Sequence, residues 1–170
     1  MMRLLEVLPI EWDQLGQVHE PVGNGNAYVS PSGMFRAGDG AWVSFTAATQ
    51  NVFQRLCQLL GREDLLADPR YATNQQRMQH QPELNAIVAA WIGARTAGDA
   101  VRELSEAGVA AAPVYSNADI AKDPHFLSRQ ALIRAADADF GSVAVPCVVP
   151  RLSETPGEVR TSGPAPGAHN

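Results

Sequence analysis

The stretch SGMFRAGDGAWVSFTA, residues 32–47, decides the fold class. Trp42, Val43 and Phe45, together with the β-tolerant Ser44 and Thr46, favour a strand, and SGMFRA supplies an antiparallel partner for it. Gly38-Asp39-Gly40 stands between the two runs. An Asp before a Gly provides the local hydrogen bonding and the positive φ that a tight turn requires, so Asp39 reads as a turn former and is given no catalytic role. Directly downstream, Val52, Phe53, Leu56, Cys57 and Leu60 recur at helical spacing, with Thr49 able to cap the start and Gly61 placed at the stop. Hairpin and helix together make the class α/β.

Working outward toward the C-terminus, Pro82 sits where a first-turn proline is tolerated, and Leu84, Ile87, Val88, Trp91 and Ile92 follow one helical stripe. Thr96 and Asp99 resemble a capping box ahead of Val101, Leu104 and Ala107, and Gly108 stands at the stop position. Between the first and second helices, Asp68-Pro69 breaks the chain and Thr73 can cap a short polar helix. The expected elements are strands over 33–36, 41–46 and 113–115 in an antiparallel or mixed sheet, flanked by helices over 50–60, 83–94 and 97–107. The expected core is Phe35, Val43, Phe45, Phe53, Leu56, Leu60, Leu84, Ile87, Val88, Trp91, Val101, Leu104 and Val114. A polar replacement at Trp91 is expected to cost about 3 kcal/mol or more. Further on, Ser116-Asn117 signals a cap, Asp123-Pro124 another turn, and LIRAAD and SVAVP two more strands, with Pro146 at a strand end. The tail after Arg151 has no core pattern.

On the N-terminal side, Leu4, Leu5, Leu8 and Trp12 suit one helical face that Pro9 interrupts. Residues 17–32, with Pro21, Gly23, Gly25 and Pro31, form a long exposed or ligand-facing loop. The formal net charge of -5, without any Lys/Arg run, argues against nucleic acid or an anionic membrane as the main partner. No stretch approaches the roughly 20 apolar residues of a membrane helix, and the N-terminus reads as neither signal peptide nor anchor, so a cytoplasmic setting is expected. Cys57 and Cys147, far apart and without a C-x-x-C, read as reduced core residues. His19, His80, His125 and His169 are scattered, so no metal site is expected, and no phosphate-loop, nucleophile-elbow or zinc motif occurs.

Taken in order, GNGNAYVSPSGMF, the Asp39-Gly40 turn before a strand, DPRYATNQQR (68–77), GVAAAPVYSNADIAKDPHFLSR (108–129) and PGAHN (166–170) resemble the C-terminal half of class III CoA-transferases, the carnitine-dehydratase-like (CaiB/BaiF) family. That resemblance implies an interlocked dimer in which each chain has a large coenzyme A-binding domain and a small domain closing over the site. It implies that residues 1–32 are a crossover from a large domain absent here, 33–130 the small mixed α/β domain, and 131–170 a return segment. Gly23, Asn24, Gly25 and Asn26 match a glycine-rich loop that folds over the catalytic carboxylate, where backbone N–H groups steady a carboxylate or oxyanion.

The implied reaction moves coenzyme A from an acyl-CoA thioester to a carboxylic acid, with the thioester as substrate, no permanently bound cofactor, and an aspartate nucleophile working through a mixed anhydride and an enzyme-bound thioester. None of this chain's aspartates matches that nucleophile, so the expected partner is the N-terminal half or a homologous chain, and the chain alone is expected to be inactive. A non-catalytic binding or assembly module, or a relic, is the alternative. An acyl-CoA racemase branch is disfavoured, because Thr49 stands near the position where an acid would be needed.

Overall fold

In the computed structural model, which describes residues 7–164 and 166–168, β1 (Ser32–Arg36) returns as β2 (Trp42–Thr46) through the Gly38-Asp39-Gly40 turn. Ala37 and Ala41 close the turn with a backbone bond of 2.8 Å. Asp39 fills the expected role and one more. Its Oδ1 accepts from the Ala41 N–H at 3.1 Å, and its Oδ2 accepts from the Ala97 N–H at 3.0 Å, in the first turn of α6 (Ala97–Glu106). Gly38 donates to the Arg95 carbonyl at 2.7 Å, and a Cβ there would stand 2.7 Å from the Gly93 oxygen. The turn is therefore docked on the corner between α5 (Gln81–Gly93) and α6 by a residue that has to be glycine. Asp39→Ala removes a turn bond and an N-terminal helix bond together, and is expected to lower the unfolding free energy by about 1.5 kcal/mol. Urea denaturation checks this, and an unchanged midpoint would show that the docking contributes nothing.

The helical layer follows from its caps. Thr49 accepts from the Val52 N–H and starts α2 (Gln50–Leu60), which stops at the left-handed Gly61. A short α3 (Asp64–Ala67) and a 3-10 turn at Pro69–Tyr71 carry the DPRY segment: Asp68 accepts from the Arg70 N–H, and the buried Tyr71 gives its hydroxyl to Glu83 at 2.8 Å. Thr73 and Gln76 form a reciprocal capping box on α4 (Asn74–Gln79). α5 (Gln81–Gly93) carries proline in its first turn. At α6, Thr96 Oγ1 accepts from the Asp99 N–H at 3.1 Å, but it is the Thr96 hydroxyl, rather than its backbone N–H, that donates to the Asp99 carboxylate at 2.8 Å. The expected box is thus half formed.

β3 (Ala110–Pro113) joins the antiparallel sheet beside β2, in the order β1-β2-β3, with Thr46 opposite Ala110 and Val43 opposite Pro113. It starts three residues before the expected 113–115, because Val109, buried at the end of α6, leads straight into the pairing with β2. Val114 makes one last bond to the Trp42 carbonyl and then leaves the sheet 43% exposed, so it is not a core residue.

The main core lies between the sheet and α2, α5 and α6, and holds Phe35, Val43, Phe45, Leu56, Val88, Ile92, Ala100, Leu104 and Val109. Phe53, Cys57, Leu65, Tyr71 and Leu84 form a second cluster. Of the expected core, Leu60, Ile87, Trp91 and Val101 are only half-buried and pack from the flanks, whereas Ile92, which was not among the expected core, is fully buried. Burial pushes the Cys57 thiol up to about 11.

Contacts divide the chain between Val114 and Tyr115. In the second unit, α7 (Asn117–Lys122), with a Ser116/Asp119 capping box, and α8 (Pro124–Ser128) precede a hairpin of β4 (Leu132–Asp137) and β5 (Gly141–Pro146). Ala135 is its buried centre. The tail runs back along β4, bridging Thr161 to Ala136. Cys147 is a free thiol but only half-buried, on the wall of a 320 Å³ hollow with Ile133 and Arg151, so it is not the core residue expected.

At the N-terminus, α1 (Leu8–Leu15) has Pro9 in its first turn, where the missing N–H is harmless; the proline opens this helix instead of interrupting it. Leu4 and Leu5 lie outside the described residues. None of α1 is buried.

Candidate functional site

Residues 17–31 belong to no helix or strand, so their path has to be fixed by side chains. Asn24 does this on one side. Its Oδ1 accepts from the Met34 N–H at 2.9 Å and its Nδ2 donates to the Met34 carbonyl at 2.5 Å, so a side-chain amide occupies the open edge of β1 like one rung of a further strand. Asn26 accepts from the N–H groups of Tyr28 and Val29, closing an Asx turn. Gly25 donates to the Val22 carbonyl at 3.1 Å, and a Cβ on it would stand 2.8 Å from the Gln81 amide oxygen. Gly23 takes a φ of 62°, which favours glycine. The four residues singled out in the sequence therefore make one tight structure on the β1 edge. An apolar hollow of about 530 Å³ opens beside it, lined by Gly23, Asn24, Met34, Trp42 and Val114.

The loop's other side rests on a row that sequence reasoning did not single out as functional. Asn74 donates to the Tyr28 carbonyl at 2.7 Å and accepts from the Ser30 N–H at 3.2 Å. Arg77, only 1% exposed, donates Nε to the Ser30 carbonyl at 2.9 Å, and also reaches Gln50 and the Tyr71 carbonyl. Its guanidinium lies 4.4 Å from the centre of the Phe53 ring, and desolvation holds its pKa below the ordinary value. Gln81 donates to the carbonyls of Asn26 and Val29 at 3.3 and 3.5 Å. Asn74 and Arg77 are the conspicuous polar residues of DPRYATNQQR and stand three apart on α4, while Gln81 joins them from the first position of α5, across the break at His80. That spacing was the available signal; their targets, some 50 residues upstream, were not.

The loop's N-terminal arm is tied to α1. Glu11 accepts from the Tyr28 hydroxyl at 3.0 Å and meets His19 Nε2 at 2.6 Å. Partial desolvation and this carboxylate raise the Tyr28 phenol.

Most aspartates of the chain serve local structure. Asp64 and Asp68 pair with Arg62 and Arg70; Asp99, Asp119 and Asp123 serve helix starts; Asp137 holds the β4–β5 turn and Ser162. Hydrogen-bond donors lower the carboxyl pKa of each of these six from its ordinary value. The Thr49 hydroxyl oxygen accepts from the Val52 N–H as the α2 cap, and among the described residues no acid is bonded to it. Among the described residues no cluster of three His, Cys, Asp or Glu could hold a metal ion, and no helix is long and apolar enough to cross a membrane.

Comparison with known proteins places these features in a family. A profile described as "CoA-transferase family III" matches residues 1–170. The chain is 39% identical to the succinyl-CoA--D-citramalate CoA-transferase of Chloroflexus aurantiacus over its full 170 residues, which cover 42% of that protein. It is 34% identical to the alpha subunit of the succinyl-CoA--L-malate CoA-transferase of Chloroflexus aurantiacus over 167 residues, 39% of that subunit. The crystal structure of a CAIB/BAIF family protein from Brucella suis superposes with a TM-score of 0.75 at 24% identity, covering 96% of this chain and 42% of that one. The chain thus spans less than half the length of these relatives, and its mixed α/β fold matches part of the Brucella suis structure. It belongs to CoA-transferase family III.

Proposed function

We propose that this chain supplies the small-domain part of an enzyme that moves coenzyme A from an acyl-CoA thioester to a carboxylic acid. The observation that carries the reading is the 39% identity to a succinyl-CoA-dependent transferase along the whole of these 170 residues. The names of the similar proteins support a dicarboxylic donor and acceptor, with succinyl-CoA as donor and a C4 or C5 acid such as malate, mesaconate or citramalate as acceptor.

The division of labour follows from the chemistry. An aspartate carboxylate attacks the thioester carbonyl and expels the coenzyme A thiolate, leaving a mixed anhydride. The thiolate then attacks the enzyme's own acyl carbon, releasing the donor acid and leaving coenzyme A on the enzyme as a thioester. The acceptor carboxylate reverses both steps and departs as the new acyl-CoA. The capped and ion-paired aspartates described above are poorly suited to that attack, which supports a nucleophile on another polypeptide segment. The contribution of this chain is the Gly23–Asn26 loop, whose backbone N–H groups, apart from that of Gly25, which is given to Val22, would face the reacting carboxylate in hydrogen bonds that strengthen as charge develops. In this reading residues 1–32 cross from the large domain, 33–130 form the small domain, and 131–170 return toward the large domain of an interlocked dimer.

The test is transfer of labelled coenzyme A from succinyl-CoA to L-malate, mesaconate or D-citramalate. It is run with the purified chain alone and after mixing with the polypeptide encoded by the neighbouring reading frame. Turnover only in the mixture, at least a thousandfold above the chain alone, is the expected result. Turnover by the chain alone would overturn the division of labour. Inactivity of the mixture despite a stable complex would favour a binding or assembly module.

A further inference from the structure

Backbone carbonyls in an irregular segment need partners, and the partners decide where the segment runs. Between Asn26 and Ser30 the carbonyls of Asn26, Tyr28, Val29 and Ser30 all accept from Asn74, Arg77 and Gln81. The Ser30 N–H also goes to Asn74. The row stands on rigid ground: Arg77 is buried against Phe53, and Gln81 opens the thirteen-residue α5, whose Leu84, Val88 and Ile92 are buried. The far end of the loop is fixed separately, by Asn24 on Met34. Gly25 is caught between these anchors, with the Gln81 amide oxygen so close that a methyl group could not be added without displacing it.

We infer that Asn74, Arg77 and Gln81 are positioning residues for the Gly23–Asn26 loop, and that the loop position they impose governs the acyl-transfer step. The second half of this inference rests on the coenzyme A transfer reading; the first does not. None of the three side chains has to touch substrate. Each acts through the backbone of Asn26–Ser30, so weakening the row displaces donors that have to stay within hydrogen-bond distance of a developing oxyanion. Asn74 and Gln81 are half-buried and sit at helix starts, so they can be changed without opening a core cavity.

Two measurements test the inference. The first is amide hydrogen exchange of residues 22–31 in the full 170-residue chain, for the parent protein, Asn74→Ala and Gln81→Ala. Exchange at 26–30 is expected to accelerate about tenfold in either variant, with exchange in β2 and α5 unchanged. Unaltered loop exchange would overturn the row's positioning role, whatever the chain's activity. The second is steady-state kinetics in the reconstituted transferase. A kcat reduced about tenfold to a hundredfold, with KM for the thioester within twofold of the parent, is expected. Faster loop exchange with an unchanged kcat would overturn the link to acyl transfer. A parent mixture with no transfer at all would refute the coenzyme A reading and with it that link, while faster exchange in the variants would still establish the positioning role.

Discussion

Arg77→Met is expected to reduce the stability of the 1–114 unit by about 4 kcal/mol, a large part of what a domain of this size possesses. Methionine keeps most of the apolar stem and fits beside Phe53, so packing loss is small and the polar contacts are what disappears. Those contacts are the Ser30 carbonyl at 2.9 Å, the Tyr71 carbonyl at 3.2 Å and the Gln50 amide oxygen at 2.7 Å. Ser30 and Tyr71 are themselves buried, so two carbonyls would lose their donor where water cannot readily replace it, at about 1–3 kcal/mol each. Losing the guanidinium from the Phe53 face adds about 1 kcal/mol. Relief from burying a charge offsets part of the total, which keeps the expected loss near 4 kcal/mol and not at the sum of the upper limits. Arg77→Lys retains the charge but cannot serve acceptors on three sides from one ammonium, so it should recover less than half the loss. Urea denaturation followed by circular dichroism, with the slope checked for constancy, measures both. A loss below about 1 kcal/mol for methionine would mean that the carbonyls find other donors and that the guanidinium is not what holds the loop to the helices.

Much of the fold was legible because it is encoded locally. The Gly38-Asp39-Gly40 turn, the Thr49, Thr73 and Ser116 caps and the stop at Gly61 each depend on residues within a few positions, and all stand where they were read. Helix α2 occupies the expected 50–60. What failed depends on partners far away in sequence. β3 starts at Ala110 because its register is set by β2, some 65 residues upstream, and no local pattern within an alanine run distinguishes 110–113 from 113–115. Arg77 reads as an ordinary surface arginine in a polar segment, and only the arrival of Ser30, Gln50 and Tyr71 around it makes a buried site. The loop was legible in the same divided way. Gly23–Asn26 was named from a family resemblance, and its turns are local. The Asn24 bonds to Met34 and the row beneath it join segments that sequence spacing alone cannot bring together.

Helix α5 offers the sharpest test of this distinction, because its stripe was read correctly and its phase was not. The stripe is Leu84, Ile87, Val88, Trp91 and Ile92, and the expected core took Ile87 and Trp91 from it and left out Ile92. The buried line is Leu84, Val88 and Ile92, at strict spacing of four, which leaves Ile87 and Trp91 on the flank. Ile92 is 0% exposed within the cluster of Phe35, Val43, Val88 and Leu104. Trp91 is half-buried, with the Arg95 guanidinium 3.7 Å from its ring centre and Arg95 in turn bonded to Glu103 and to the Trp91 carbonyl. Unlike the buried Arg77 on Phe53, the Arg95 side chain keeps 29% of its surface exposed, so it marks a boundary with solvent where the charged head stays wet while the stem covers apolar surface. Ile92→Ala is therefore expected to cost about 3.5 kcal/mol, the transfer loss of the removed carbons plus the cavity they leave. Trp91→Ala is expected to cost about 1.5 kcal/mol, since Arg95 and water can close over the gap. The order inverts what side-chain size alone would give, so equilibrium unfolding of the two variants side by side is decisive. A larger loss for Trp91→Ala would put the helix in the other phase, with the ring turned into the sheet and Ile92 at its edge.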